Sequence, residues 1–178
     1  MDVLSTRRLR AGAGVIALAL TSAAAMCGDA RPARPAHLAH AMESPEALAA
    51  AILDRLAAAD RPGLERLMLT RDEFELLVWP HLPVSRPGTN MPLSFVWNRL
   101  RQQSDGRLSQ VMAMHGGTSY ALVRLEFAGE RSRYGGATVA RDSVMTVRTP
   151  AGEIARLELF GSMIEQDGRY KVFSFVTD

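Results

Sequence analysis

Near the end of the chain, an Asp167-Gly168 pair separates two runs of strand-forming residues, Ile164-Glu165-Gln166 before it and Arg169 to Val176 after it. Asp-Gly tolerates the positive φ angles of a type I′ turn, so the last two strands are predicted to pair as an antiparallel hairpin. This hairpin closes a chain whose first half is spaced for helices and whose second half is spaced for strands. Helices followed by a run of strands imply an α+β fold with the helices packed on one face of an antiparallel sheet.

The change of period falls after Gly116-Gly117. Ala121, Val123, Leu125 and Phe127 alternate with Arg124 and Glu126. Val139, Met145 and Val147 share one parity, and Leu157, Leu159, Gly161 and Met163 alternate with Arg156 and Glu158. With the Tyr170–Val176 run, this predicts four strands in an antiparallel meander, one face buried and one solvated. Gly161 in mid-strand predicts a bend or bulge.

Upstream, Ser44-Pro45-Glu46 is a helix start: a capping hydroxyl, a proline in the first turn and an acid beside it. Leu48, Ile52 and Leu56 follow at helical spacing. A short helical piece carries Leu64, Leu67 and Met68. Thr70-Arg71-Asp72-Glu73 is a capping box that opens another short helix. Trp79 to Pro92 holds four prolines and reads as a non-repetitive loop. A longer helix then bears Leu93, Val96, Trp97, Leu100, Leu108, Val111 and Met112 on one stripe, with Asp105-Gly106 as an expected kink or break.

The N-terminus is a different kind of sequence. Arg7, Arg8 and Arg10 precede an apolar run, Gly12 to Ala25, which ends in small residues. This is the pattern of an export signal, and the run is shorter than the roughly 20 residues that span a bilayer. Ala23-Ala24-Ala25 and Gly28-Asp29-Ala30 each offer a conventional cleavage site. Cys27 is a lipidation candidate, although Met26 is a poor residue to precede it. The chain therefore divides into an export signal over 1–27, a Pro/Ala/Arg tether over 28–43 and one domain over 44–178. Loss of the signal to Met26 would remove three of the 21 Lys and Arg and one of the 19 Asp and Glu, leaving 18 of each. A balanced domain gives no basis for nucleic-acid binding. With one cysteine there is no intrachain disulfide.

The element order, and the ending Asp167-Gly168-Arg169-Tyr170-Lys171-Val172, resemble the nuclear-transport-factor-2-like superfamily, which includes ketosteroid isomerase, scytalone dehydratase and SnoaL-like cyclases. The ending is similar to that group's D-G-x-W-[KR]-[IV], with Tyr170 in place of Trp. The resemblance covers residues 44–178. It implies a cone in which a curved four-stranded sheet wraps the Leu93–Met112 helix around an apolar pocket. Fold alone does not assign a reaction, and the isomerases' catalytic set has no counterpart here.

Candidate site residues come from the loop and from one strand. Trp79, His81, Arg86 and Asn90 lie on the proline-rich loop, where a rigid scaffold presents polar groups. Asp142 is the only aspartate placed within a strand and is a candidate pocket acid. His81 and His115 have no ligand-spaced neighbours, so no metal site is expected, and no cofactor motif is present. His115 at a helix end is explained by the helix dipole. Three functions follow. The first is an exported, non-catalytic domain of the bacterial envelope that binds a small apolar ligand or an envelope protein, with membrane contact only through a lipid anchor. The second is an isomerase, dehydratase or cyclase that uses Asp142 or His81 as acid/base. The third is a homodimeric structural module.

Overall fold

The computed structural model describes residues 37–177. The expected export signal, Cys27 and the first part of the expected tether lie outside the described residues. Four α-helices come first: α1 (Pro45–Ala57), α2 (Arg61–Arg66), α3 (Arg71–Leu77) and α4 (Leu93–His115). Seven strands follow: β1 (Ala121–Phe127), β2 (Arg131–Tyr134), β3 (Ala137–Arg141), β4 (Ser143–Arg148), β5 (Ile154–Leu157), β6 (Ser162–Gln166) and β7 (Arg169–Ser174). All strand pairs are antiparallel, so the class is α+β with helices packed against sheet.

The expected four-strand meander is present, but three of its four segments are broken along one line. β1 and β2, β3 and β4, and β5 and β6 are each two halves of one long segment. The halves form a three-stranded sheet ordered β1-β4-β5 and a four-stranded sheet ordered β2-β3-β6-β7. At the break, Asp142 adopts φ 55°, a left-handed conformation that no strand interior contains. The backbone is stitched across the line: Ala128 N–H donates to Asp142 O (3.0 Å), Ser143 N–H to Gly161 O (3.1 Å) and Gly161 N–H to Ser174 O (3.0 Å). The Ser143 hydroxyl also donates to Phe160 O. Gly161 is thus the bend that its mid-strand position predicted, and its requirement is space: a Cβ there would run into the carbonyl of Val176.

The break corrects three expectations about side-chain direction. Asp142 is a corner residue, not a strand residue. Val139 faces away from Met145 and Val147, since it belongs to a different hydrophobic cluster; the corner shifts the period by one. In β1 the register slips between Leu122 and Arg124, with Val123 as the extra residue. The bulge turns Leu122, Leu125 and Phe127 toward the core and leaves Ala121 and Val123 exposed.

Two apolar clusters lie on the two faces of the four-stranded sheet. On one face α1 is the central helix, burying Leu48, Ala49, Ile52, Leu53 and Leu56. It packs there with Leu108 and Val111 of α4 and with Ala140, Met145, Met163 and Val172. The opposite face, expected to be solvated, carries Val139 and Ile164 against Phe74, Leu77 and Val78 of the α3 segment. Trp97 stacks at a tilt on Phe74 there, with ring centroids 5.5 Å apart. The Leu93–Met112 helix is therefore not the enclosed rod. Its first half (Val96, Trp97, Leu100) serves the second cluster and its last half serves the first. Nor does Asp105-Gly106 interrupt it, since α4 is continuous to His115. Gly106 meets nothing that a Cβ would touch. Gly106→Ala is accordingly expected to stabilise the domain by about 0.5–1 kcal/mol, read as a rise in melting temperature.

The domain also begins earlier than 44. Leu38 is buried in the second cluster. Met42 and Tyr170 exchange two backbone hydrogen bonds, both 2.9 Å. Around Met68 the chain makes a parallel bridge to Val172, whose N–H donates to Leu67 O (2.9 Å) and whose carbonyl accepts from Leu69 N–H (2.8 Å). Together these segments cover the free edge of β7, an edge that would otherwise invite pairing with another chain. Residues 37–43 are thus part of the domain.

One buried ion pair ties the layers together. Lys171 Nζ donates to both carboxylate oxygens of Glu73, at 3.0 and 2.9 Å, and both side chains are buried. The same carboxylate accepts from Thr70 N–H (2.7 Å), completing the α3 capping box, and from Ala39 N–H (2.6 Å). Burial pushes the Glu73 carboxyl up, but the Lys171 hydrogen bonds, the backbone donors and the Lys171 charge outweigh it and hold it below its usual 4.5.

Candidate ligand-binding cleft

A cleft of about 500 Å³ with mixed apolar and charged walls opens on the α1 side of the four-stranded sheet. Its floor is two cross-strand rows that the register dictates. Arg131, Ala140 and Met163 form one row, and Thr138, Glu165 and Tyr170 form the next. The opposite rim is the end of β1, where Leu125, Glu126 and Phe127 all reach the cleft as the strand approaches the break. Pro45 and Glu46, at the start of α1, close one end. The bend creates the space: an unbroken strand pair would carry β1 away along the sheet, whereas the corner tips it over the sheet face.

The electrostatics are uneven. Three carboxylates from three elements (Glu46, Glu126 and Glu165) share the lining with one guanidinium, Arg131. Glu126 is paired with Arg124 at 3.0 Å on the outer surface. Glu165 accepts through Oε1 from Gly168 N–H at 2.9 Å, a bond that also braces the hairpin turn. Tyr170 is fixed from behind by its two backbone bonds to Met42. Among the described residues, no group of three or more His, Cys, Asp or Glu is placed to hold a metal ion.

The residues singled out from sequence are elsewhere. Trp79 and His81 lie on a 3-10 turn, Trp79–His81, and a second such turn spans Pro83–Ser85. Trp79 packs against the second apolar cluster. The His81 ring lies against Gly135 in the β2–β3 turn, where any Cβ would strike it. Arg86 and Asn90 are exposed, Asn90 with φ 48°. Thr89 donates its hydroxyl to Arg86 O (2.8 Å) and to Val84 O, closing the loop on itself. Asp142 instead lines a small cleft of about 150 Å³ beside Leu100, Gln103 and Phe173. The Gly135 turn and Asp142 lie at opposite ends of β3, roughly 20 Å apart at the rise of a strand, so His81 and Asp142 do not form an acid/base pair.

His115 has a more specific partner than a helix dipole. Its Nδ1 lies 3.0 Å from the Tyr120 hydroxyl. Burial, with the Arg107 charge adding to it, holds its pKa below the usual 6.5, so the neutral ring is favoured.

Of the cleft residues, none was singled out as a site from sequence, although Tyr170 belongs to the motif that carried the resemblance. Glu165 was visible as a strand residue two before the Asp-Gly turn. What was missing was the corner, which decides which strand faces converge. Among the described residues no helix is long and apolar enough to cross a membrane. Comparison with protein-family models, with curated proteins and with solved structures finds no match to this chain.

Proposed function

We propose that this chain is an exported bacterial envelope protein of the nuclear-transport-factor-2-like type, whose domain binds a small, partly apolar molecule without transforming it. The observation that carries this reading is the cleft between β1 and the four-stranded sheet. Its volume of about 500 Å³ falls within the roughly 300–1,000 Å³ of small-molecule sites. Its floor is apolar at Ala140 and Met163, with polar groups beside them in the same two rows and on the β1 rim. The Arg-rich, apolar N-terminus supports export. The bent meander and the Asp167-Gly168 ending support the superfamily. Neither Asp142 nor His81 is among the residues that line this cleft, which favours binding over acid/base chemistry by either of them.

Thr138 is half-buried in the cleft floor, between Arg133 and Glu165 in the register. A strand accepts an aromatic residue at such a position, so Thr138→Trp should fill the cleft without unfolding the sheet. The neutral dye Nile red is expected to bind the wild type with a blue-shifted, enhanced emission. Thr138→Trp is expected to weaken that binding at least tenfold at an unchanged melting temperature. Equal dye binding by the two proteins would refute the cleft as the site.

A further inference from the structure

Resting on that cleft reading, we infer that the ligand is an organic cation: a protonated or quaternary amine on an apolar body, seated between the Phe127 and Tyr170 rings and the carboxylates of Glu46, Glu126 and Glu165. Three features of the cleft converge on this class. The first is charge: three carboxylates line the cleft against the single guanidinium of Arg131, so its interior attracts cations and repels anions. The second is origin. The acids come from α1, β1 and β6, elements far apart in sequence, and meet only because the sheet bends. The third is the wall. Phe127 and Tyr170 bring aromatic rings to the same space, and the face of such a ring attracts a desolvated ammonium group.

The carboxylates' existing partners leave them competent. The Arg124 partner of Glu126 is mostly exposed, and an exposed ion pair of that kind is weak enough to yield to a ligand. Glu165 uses Oε1 for the Gly168 N–H, which leaves Oε2 to face a cation. Glu46 stands in the first turn of α1. The apolar floor would take the hydrocarbon body while the acids hold the charged head. A neutral apolar ligand would desolvate these carboxylates without supplying a charge of its own to them, at a cost in affinity.

Displacement of Nile red tests the charge preference separately from the site. Hexyltrimethylammonium, 1-hexanol and hexanesulfonate share one chain length and differ in head-group charge. The cation is expected to displace the dye at about tenfold lower concentration than the alcohol, with the sulfonate weakest. Glu165→Gln, which keeps an acceptor for Gly168 N–H, and Glu126→Gln are each expected to reduce that advantage severalfold, each displacement being read against the variant's own dye affinity. Equal potency of cation and alcohol, or preference for the sulfonate, overturns the cation inference and leaves the cleft standing. Failure of the wild type to bind Nile red overturns the cleft itself, and the inference with it.

Discussion

Glu73→Ala is expected to destabilise the domain by about 3–5 kcal/mol, a fall in melting temperature of roughly 6–20 °C for a domain of this size. The reason is asymmetry. The Lys171 ammonium would remain buried at 1 % side-chain exposure with no counter-charge, and the N–H groups of Ala39 and Thr70 would lose their acceptor. Lys171→Met should cost a similar amount for the complementary reason. The paired change, Glu73→Ala with Lys171→Met, should cost much less than the sum of the single changes, because no unpaired charge remains. Thermal unfolding of the four proteins checks this. Additive losses would mean that the two groups do not depend on one another.

The same pair sets an acid limit. Glu73 titrates lower in the folded protein than its usual 4.5. Between the two values the unfolded chain therefore binds more protons than the folded one, and stability rises with pH. The contribution is complete above about 4.5 and is lost as pH falls below it through the folded value. Lys171→Met, which removes both the largest hydrogen-bond partner and the counter-charge, should flatten this part of the stability–pH curve. An unchanged slope below pH 4.5 would show that the pair does not govern acid unfolding.

The second large effect belongs to the corner. Gly161→Val is expected to cost about 3 kcal/mol, because the new side chain would have to displace the backbone at Val176 rather than a flexible side-chain end. That movement would also disturb the Gly161 bonds to Ser143 and Ser174 that hold the broken strands in line. The variant should therefore lose dye binding along with stability. A Gly161→Val protein as stable as the wild type would mean that the corner is not tightly packed.

These two effects mark where the sequence was legible and where it was not. The Asp167-Gly168 turn, the Ser44 and Thr70 caps and the order of helices before strands are local signals, and each corresponds to an element of the structure. The capping box at Glu73 was readable, but its role as acceptor for Lys171 was not, since 98 residues separate the two. Lys171 lies between Tyr170 and Val172 in the alternation, on the face expected to meet water. The second apolar cluster that buries it is built by α3 and α4, from another part of the chain. Asp142 was misplaced because a single left-handed residue breaks a strand without any change in composition; a glycine there would have signalled the turn. The proline-rich loop drew attention through its polar residues, yet most of its hydrogen bonding is internal. The cleft was hidden because its members become neighbours only after the bend.

The most direct test of the cleft is an amide nitrogen–proton correlation spectrum of the folded domain titrated with 1-hexanol. The account predicts shifts concentrated at Glu46, Leu125–Phe127, Thr138–Ala140, Met163–Glu165 and Tyr170, all absent in Thr138→Trp. Shifts concentrated instead on Trp79–Pro92, or around Asp142, would contradict it.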